Sequence, residues 1–355
     1  MCGGAGRSGA RRKFSRLSAT EGGQGKRMTK RKTMTTTRTR SAERGLGVLG
    51  VPTSAGSHNP GQEKAPAAWR EAGLLKEVSG YGLAVEDFGD LPVQRHRPSP
   101  PVDGVRDLER VAGTAGRTAT EVAAIVGTGR LPLVLGGDCT VTLGVIAGLS
   151  ARGTAPGLVY FDGDADLSTP QTTDSAVLDT MGMTHLLGDG APALSHLGDR
   201  HPLLPADHIA LLGFDPAELS TEHWGRLAAH HLHATPAAAV RADPAGTAEA
   251  ALAHVEARTD SVLVHFDVDV LDTGAFPLAN FPHFNGLTLD QAETVLARLC
   301  ASPAFAGLVV TEVNPDHDPE GTLLRQLVEV LGRVLGDAGP GVSGPPAGGP
   351  SGSSV

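Results

Sequence analysis

The chain has 355 residues, of which 40% are hydrophobic and 19% are charged, a composition typical of a soluble globular protein. Its formal net charge is −9, but the charge is unevenly distributed. Residues 1–44 hold 13 of the 30 Lys and Arg residues and only 2 of the 39 Asp and Glu residues. This segment therefore carries a charge of +11, and the remainder of the chain carries −20. Such an acidic body repels nucleic acid and anionic membranes, which excludes both as its partners. The three cysteines are too widely spaced for a disulfide framework, and no apolar run is long enough to span a membrane, so we expect a cytoplasmic protein.

The two ends differ in composition from the rest of the chain. Residues 1–44 are rich in Gly, Ser, Thr, Arg and Lys, and residues 337–355 are rich in Gly, Pro and Ser. Such segments bury too little apolar surface to offset the entropy of ordering. We therefore expect disordered tails at 1–44 and 337–355 around one domain at 45–336. The basic tail is either a targeting or nucleic-acid arm, or a solvated extension upstream of a true start at Met28 or Met34.

Between the tails, short runs of Val, Leu and Ile alternate with longer stretches that have apolar residues at helical spacing. Strands are predicted at 45–51, 83–87, 132–135, 158–161, 209–212, 262–266 and 308–309. Helices are predicted at 65–78, 106–127, 141–150, 289–300 and 323–335. This alternation predicts a three-layer α/β/α fold with a mainly parallel central sheet, in which ligands bind beyond the carboxyl ends of the strands.

Acidic residues are concentrated directly after four predicted strands. The segments are Gly-Gly-Asp-Cys-Thr at 136–140, Asp-Gly-Asp-Ala-Asp at 162–166, Asp-Val-Asp-Val-Leu-Asp at 267–272 and Glu-Val-Asn-Pro at 312–315. Alternate residues of an extended chain point to one side, so each Asp-x-Asp pair can direct two carboxylates into one pocket. Carboxylates about 4 Å apart repel each other or retain protons unless divalent cations compensate them. One such motif alone is typical of a cap or turn, but two together predict a two-metal centre that activates water.

In this order, the four segments resemble the motifs of the arginase and agmatinase superfamily, the ureohydrolases. The motifs are Gly-Gly-Asp-x-Ser/Thr, Asp-Ala-His-x-Asp, Ser-x-Asp-x-Asp-x-x-Asp and Glu-x-Asn-Pro, and the resemblance covers nearly all of 45–336. It implies an arginase-like fold and two Mn²⁺ ions that share a hydroxide, which attacks the central carbon of a guanidinium or amidine group. It also implies a homo-oligomer, either a trimer or a hexamer.

The resemblance assigns roles to individual residues. The implied metal ligands are Cys139, Asp162, Asp164, Asp166, Asp267 and Asp269, of which Asp162 and Asp267 would bridge the two ions. Glu312 would receive the cationic guanidinium group through charge-assisted hydrogen bonds. Ser168, Asp215 and Glu218 would bind the amino-acid end of the substrate.

Three positions depart from the family pattern. Cys139 and Asp164 each stand where the family has a histidine ligand. A thiolate favours Zn²⁺ or Fe²⁺ and a carboxylate favours Mn²⁺ or Mg²⁺, so Zn²⁺ or Fe²⁺ is an alternative to Mn²⁺ here. The family's His-Gly-Met motif, whose histidine shuttles protons, falls at 179–183, where this chain has no histidine. His185 is the candidate catalytic replacement, and the alternative is a structural histidine.

The favoured function is hydrolysis of a linear amidine, most simply an arginine-like guanidino compound that gives urea and an amine. One alternative is a non-catalytic arginase-fold protein that binds a metal or a ligand, because the shuttle histidine is lost and two ligands are altered. The other is hydrolysis of a different carbon–nitrogen bond, such as that of a formimino or acylamine group.

Overall fold

The computed structural model describes residues 45–337 except 152 and 154. The predicted tails at 1–44 and 337–355 therefore lie outside the described residues, apart from Asp337, which ends the last helix.

In the described part, eight strands form one sheet with the order β2-β1-β3-β8-β7-β4-β5-β6, and every strand pairing is parallel. The strands are β1 (Leu46–Gly50), β2 (Val85–Asp90), β3 (Leu131–Leu135), β4 (Gly157–Phe161), β5 (Ile209–Leu212), β6 (His233–Thr235), β7 (Val262–Asp267) and β8 (Phe305–Thr311). All strands except the two at the edges are buried along their whole length. Because the strands are parallel, their carboxyl ends meet along one side of the sheet.

Helices cover both faces of this sheet. They are α1 (Ala65–Glu71), α2 (Leu74–Gly80), α3 (Leu108–Gly127), α4 (Val141–Ser150), α5 (Gly182–Leu186), α6 (Pro192–Ser195), α7 (Thr221–His230), α8 (Ala237–Ala242), α9 (Pro244–Glu256), α10 (Leu289–Cys300) and α11 (Thr322–Asp337). None of these described helices is long and apolar enough to cross a membrane.

Two apolar cores separate the sheet from its helices. In β3, Leu131, Leu133 and Leu135 belong to one core, whereas Val134 belongs to the other, as expected for side chains that alternate between faces. The first core packs against α1, α2 and α8 to α11, and the second against α3 to α7. The predicted three-layer α/β/α fold with a parallel sheet is thereby confirmed.

Each predicted strand and helix overlaps an observed one, but the five helices α5 to α9 were not predicted, and the structure differs from the prediction in two further places. The predicted helix at 65–78 is two helices, because Gly73 adopts a left-handed conformation with a φ of 89° and interrupts the hydrogen-bond ladder. The edge strand β6 was not predicted, because the three residues His-Ala-Thr form no apolar run.

A glycine in the turn after β3 is expected to be essential for stability. A Cβ at Gly137 would overlap the carbonyl oxygen of Thr53, which also accepts a hydrogen bond from the amide of Asp138. We expect Gly137→Ala to lower the free energy of unfolding by about 1–3 kcal/mol in urea denaturation. Gly116→Ala in α3 is the control, because its Cβ meets no atom within 4 Å and should stabilise the helix by up to about 1 kcal/mol. Equal stability of the two variants would contradict this expectation.

Candidate metal centre

The candidate centre is built from the carboxyl ends of four adjacent strands, β3, β8, β7 and β4. Cys139 lies in the turn between β3 and α4, and Glu312 directly follows β8. Asp267 is the last residue of β7, and Asp162 directly follows β4. Segments that are more than 100 residues apart in the chain therefore meet because of the strand order.

The first group of potential ligands consists of Cys139, Asp162, His265 and Asp267, which are all buried and whose ligand atoms all lie within 4.8 Å of one another. Sγ of Cys139 lies 2.5 Å from Oδ2 of Asp267 and 3.8 Å from Oδ2 of Asp162. Nε2 of His265 lies 3.2 Å from Oδ2 of Asp162 and 3.9 Å from Sγ of Cys139. The other oxygens of Asp162 and Asp267 accept hydrogen bonds from the amides two residues later, which orients both carboxylates.

The second group consists of Asp164, Asp269 and His283. Nε2 of His283 lies 3.7 Å from Oδ2 of Asp164 and 3.6 Å from Oδ2 of Asp269. Oδ1 of Asp269 accepts a hydrogen bond from the amide of Gly163, which ties the loop after β7 to the loop after β4. Because Asp164 and Asp269 each follow a member of the first group by two residues, the two groups are neighbours.

The third group consists of Cys139, Asp179 and Glu312. Oδ1 of Asp179 accepts a hydrogen bond from the amide of Cys139 at 2.8 Å. Oε2 of Glu312 accepts a hydrogen bond from Nε2 of Gln62 at 2.8 Å, whereas Oε1 is buried without a hydrogen-bond partner. Glu312 has a φ of 63°, a strained conformation for a residue with a side chain and one that is typical of functional positions.

In the metal-free protein, the acidic groups of the first group favour their protonated forms, because no cation of the described residues compensates their charge. Burial raises the pKa values of Asp162 and Asp267, and the charge of Asp269 raises both further. Burial and the charge of Asp267 also raise the pKa of the Cys139 thiol. Within the described residues, no Lys or Arg forms an ion pair with these groups, and burial lowers the pKa of the neighbouring His265 to about 3.

In the metal-free protein, His283 is the cationic partner of the second group. Burial opposes its charged form, but the carboxylates of Asp164 and Asp269 beside Nε2, together with the contact between Nδ1 and Glu218, outweigh burial and raise the pKa of His283 well above its ordinary value. Burial likewise opposes the charged form of Asp269, and its contact with His283 outweighs burial and lowers the pKa of Asp269.

The donor set fits divalent cations. Thiolate, imidazole and carboxylate are the ligands of Zn²⁺ and of related first-row metals. Nε2 of His283 is also buried without a hydrogen-bond partner, and it faces two carboxylates. Buried polar atoms in proteins normally have partners, so this unpaired donor or acceptor is consistent with a ligand at the centre.

The structure brings together most of the residues singled out in the sequence. The predicted ligands found in the first and second groups are Cys139, Asp162, Asp164, Asp267 and Asp269. Asp166 belongs to none of the three groups within the described residues, and its Oδ2 instead accepts a hydrogen bond from the hydroxyl of Tyr160 at 2.5 Å. Its role as a ligand stays a prediction.

The predicted substrate-binding residues lie in two loops near the centre. The amide of Asp215 donates a hydrogen bond to the carbonyl of Gly163, and Oε1 of Glu218 lies 3.1 Å from Nδ1 of His283. Oγ of Ser168 lies 3.4 Å from Nε2 of His223. Their roles also stay predictions.

His185, the predicted catalytic histidine, is fully buried in α5 and belongs to none of the three groups among the described residues. Its Nδ1 lies 2.7 Å from the carbonyl oxygen of Met181, and its Nε2 has no hydrogen-bond partner. Burial lowers the pKa of His185 to about 4. The segment that lacks the family's histidine instead contributes Asp179 to the third group.

Two histidines of the groups were missed as site residues by the sequence reasoning. His265 lies inside a buried apolar strand, and a histidine in such a strand is typical of the core. It precedes Asp267 by two residues and so shares its face of the sheet, and this spacing is the signal that indicates a site residue. His283 lies in a loop after the third motif, where sequence spacing gave no reason to prefer it over other histidines.

The comparisons with known proteins agree with this geometry. The model of the arginase family matches residues 44–335. The arginase of Bacillus caldovelox is 28% identical over 297 residues, which cover 82% of this chain and 98% of that protein. Human arginase-1 is 28% identical over 279 residues, which cover 77% of this chain and 85% of that protein. The solved structure of Bacillus caldovelox arginase is similar with a TM-score of 0.75 and 27% identity, covering 82% of this chain and 98% of that one.

The raised pKa values predict how pH affects stability. Without metal, the folded protein holds protons on Asp162 and Asp267 that the unfolded chain has released above about pH 4, so the free energy of unfolding falls as pH rises. A divalent cation replaces these protons, so its affinity rises with pH.

We therefore expect the gain in melting temperature on adding Mn²⁺ or Zn²⁺ to chelator-treated protein to grow between about pH 5 and pH 8. The measurement is thermal unfolding of the chelated and metal-loaded protein at each pH. A metal-induced gain that does not change with pH would contradict this account.

Proposed function

The chain belongs to the arginase family, and we propose that it is a metal-dependent hydrolase that cleaves a carbon–nitrogen bond of a linear amidine. Its simplest substrate is an arginine-like guanidino compound, which water converts to urea and an amine. The observation that carries the proposal is the convergence of three groups of buried thiol, carboxylate and imidazole ligands at the carboxyl ends of adjacent strands.

We propose that the first and second groups each hold one divalent cation, with Asp162 and Asp267 at their junction. Asp166 remains a further candidate ligand of the first ion. When bound, the cations supply Lewis acidity and lower the pKa of a water molecule to near neutrality. Mn²⁺ is expected from the family resemblance, and the thiol of Cys139 favours Zn²⁺ or Fe²⁺ as the alternative.

Glu312 is the proposed acceptor for the cationic end of the substrate. Gln62 holds Oε2 of Glu312, and the buried Oε1 is left to accept a hydrogen bond from an amidinium N–H. Burial and the charge of Asp179 raise the pKa of Glu312, and a cationic substrate group beside it would lower that pKa and stabilise the ionised carboxylate.

The loop at 215–218 is the proposed binding site for the amino-acid end of the substrate. Asp215 and Glu218 both contact residues of the centre, through Gly163 and His283 respectively. These contacts place the loop beside the centre, and the proposed substrate is arginine-like, with its amino group paired with Asp215. Ser168 is proposed to bind the carboxylate end, and His185 is proposed to move protons.

Three further properties belong to the same proposal. The folded domain spans 45–336, the protein is cytoplasmic, and it assembles as a homo-oligomer. The arginase-family match over residues 44–335 supports the domain, and the arginase resemblance supports the homo-oligomer, with a trimer or a hexamer as the expected assembly. The wide spacing of the cysteines supports the cytoplasmic location.

A second candidate function is a non-catalytic arginase-fold protein that binds a metal or a ligand. One observation favours it: within the described residues, His185 contacts none of the three groups through a hydrogen bond or an ion pair. Such a protein would hold metal without releasing urea.

Replacing Asp267 tests the proposed function. The protein, purified without chelators or a metal-binding tag, is expected to contain about two metal ions per chain by mass spectrometry. Asp267→Ala should lose metal and slow urea release from a panel of guanidino compounds by at least about 100-fold. Asp207→Ala is the control, because this exposed carboxylate pairs only with Arg258 in the described structure.

The outcomes separate the two candidate functions. Little bound metal, even after incubation with Mn²⁺, Zn²⁺ and Fe²⁺, would overturn the hydrolase proposal. Two bound ions without hydrolysis of any amidine or guanidino compound would favour the non-catalytic protein.

Replacing Glu312 tests substrate recognition separately from metal binding. Glu312→Gln keeps the shape of the side chain but removes the charge, so we expect unchanged metal content and a fall in kcat/KM of about 100-fold. Metal analysis and urea assays on the same preparation check both parts. A parallel loss of metal would instead place Glu312 among the metal ligands.

A further inference from the structure

We propose that His265 and His283 are metal ligands, one in each half of the centre. This inference deepens the proposed function and rests on it, because it completes the same site. Neither histidine belongs to the ligand set implied by the four sequence motifs. However, each lies in a group in which another residue stands where the family has a histidine ligand. This residue is Cys139 in the group of His265 and Asp164 in the group of His283.

The surroundings of His265 hold its ring in a single orientation. Nδ1 lies 2.7 Å from Oγ1 of Thr142, and the ring stacks on Tyr160 with centroids 4.1 Å apart and an angle of 5° between the planes. The side chain is fully buried, so water does not compete for either nitrogen. With Nδ1 engaged by Thr142, Nε2 is directed at Oδ2 of Asp162, Sγ of Cys139 and Oδ2 of Asp267, at 3.2, 3.9 and 3.9 Å.

His283 is held in the same manner from a different part of the chain. Its Nδ1 lies 3.1 Å from Oε1 of Glu218, and its Nε2 faces Asp164 and Asp269 without a hydrogen-bond partner. A carboxylate on one imidazole nitrogen and a metal on the other is a common arrangement, because the carboxylate fixes the tautomer and strengthens the ligand. Thr142 and Glu218 are therefore positioning residues for the two imidazoles.

The assignment makes the two metal positions chemically different. The first group then offers one sulfur, one nitrogen and carboxylate oxygens, whereas the second offers one nitrogen and carboxylate oxygens. Sulfur selects softer ions such as Zn²⁺, and the harder second set favours Mn²⁺. A centre that holds two different metals follows from this difference in donor atoms.

Asparagine substitutions test the assignment with little disturbance of the fold. An asparagine amide reaches the position of Nδ1 but not that of Nε2, so His265→Asn keeps a partner for Thr142 and His283→Asn keeps one for Glu218. We expect each variant to bind one of the two ions at least about 10-fold more weakly, measured by mass spectrometry after competition with a chelator. In Co²⁺-loaded protein, His265→Asn should alter the thiolate-to-cobalt absorption, and His283→Asn should leave it nearly unchanged.

His185→Asn is the matched control for metal content. His185 is as buried as His265, has its Nδ1 on a backbone carbonyl and has an unpaired Nε2, but it lies outside the three groups of the described residues. It should retain both ions. Loss of metal in this control to the same extent would overturn the assignment, because burial alone would then explain the effect.

An exchange of side chains tests whether His265 takes over the role of the histidine missing at position 139. The family pattern has Ser where this chain has His265 and His where it has Cys139. The double variant Cys139→His with His265→Ser should regain most of the metal affinity that His265→Ser alone loses. Failure to regain affinity in a folded double variant would contradict this exchange of roles.

X-ray absorption spectroscopy of the unsubstituted protein provides a test that does not depend on the folding of any variant. Zn²⁺- or Co²⁺-loaded protein should show about one imidazole per ion. Absence of imidazole, or wild-type metal affinity in both asparagine variants, would overturn the assignment. The proposed function would survive that result if Asp267→Ala still lost metal and activity, and it would fail if the wild-type protein bound no metal or bound metal without hydrolysing any amidine or guanidino compound.

Discussion

The crowding of buried negative charge at one side of the sheet is the constraint on which the rest of this structure depends. Ligand oxygens of Asp162 and Asp267 lie within 4.8 Å of each other, the charge of Asp269 acts on both, and all three residues are buried. Removing an ionised carboxylate from water costs several kcal/mol even after the protein relaxes, and neighbouring like charges add to that cost. Backbone amides of the loops after β4 and β7 offset part of it by donating to these carboxylates. The remainder is offset by protons or by cations, so ionisation, metal content and stability are coupled in this protein.

The parallel sheet explains why such crowding arises from motifs that are far apart in the sequence. All strands have their carboxyl ends at the same side of the sheet, so the motifs that directly follow them lie next to one another along that side. The pairing of β3 with β8, β8 with β7 and β7 with β4 sets the order of these motifs. A ligand that is altered at one strand end can therefore be supplemented from a nearby strand while the site stays in place, as the proposed role of His265 in β7, with β8 between it and the strand that precedes Cys139, illustrates.

The sequence was sufficient to predict the layered fold and most of the acidic residues that the structure brings together, because both depend on local patterns. Apolar runs of strand length identify buried parallel strands, and Asp-x-Asp motifs at their ends identify converging carboxylates. His265 and His283 could not be assigned in the same way. A histidine within a buried strand is compatible with an ordinary core position until its neighbours are known, and the contact between His283 and Glu218 joins residues 65 apart in the chain. The break at Gly73 could not be predicted with certainty either, since a glycine costs a helix only about 1 kcal/mol.

The thiol at Cys139 has a consequence for the oxidation chemistry of the protein. Oxidants attack thiolates rather than thiols, and burial together with Asp267 raises the pKa of Cys139, so the metal-free side chain remains a protonated and shielded thiol. A metal ligand must instead be deprotonated, and the bound ion then occupies the lone pairs that an oxidant would attack. If the proposed metal were removed at a pH high enough to ionise the thiol, the sulfur would be reactive, and oxidation to sulfinic acid in that state would be irreversible. An imidazole at this position would carry no such vulnerability, so the substitution of cysteine for histidine links the lifetime of the centre to the redox conditions around it.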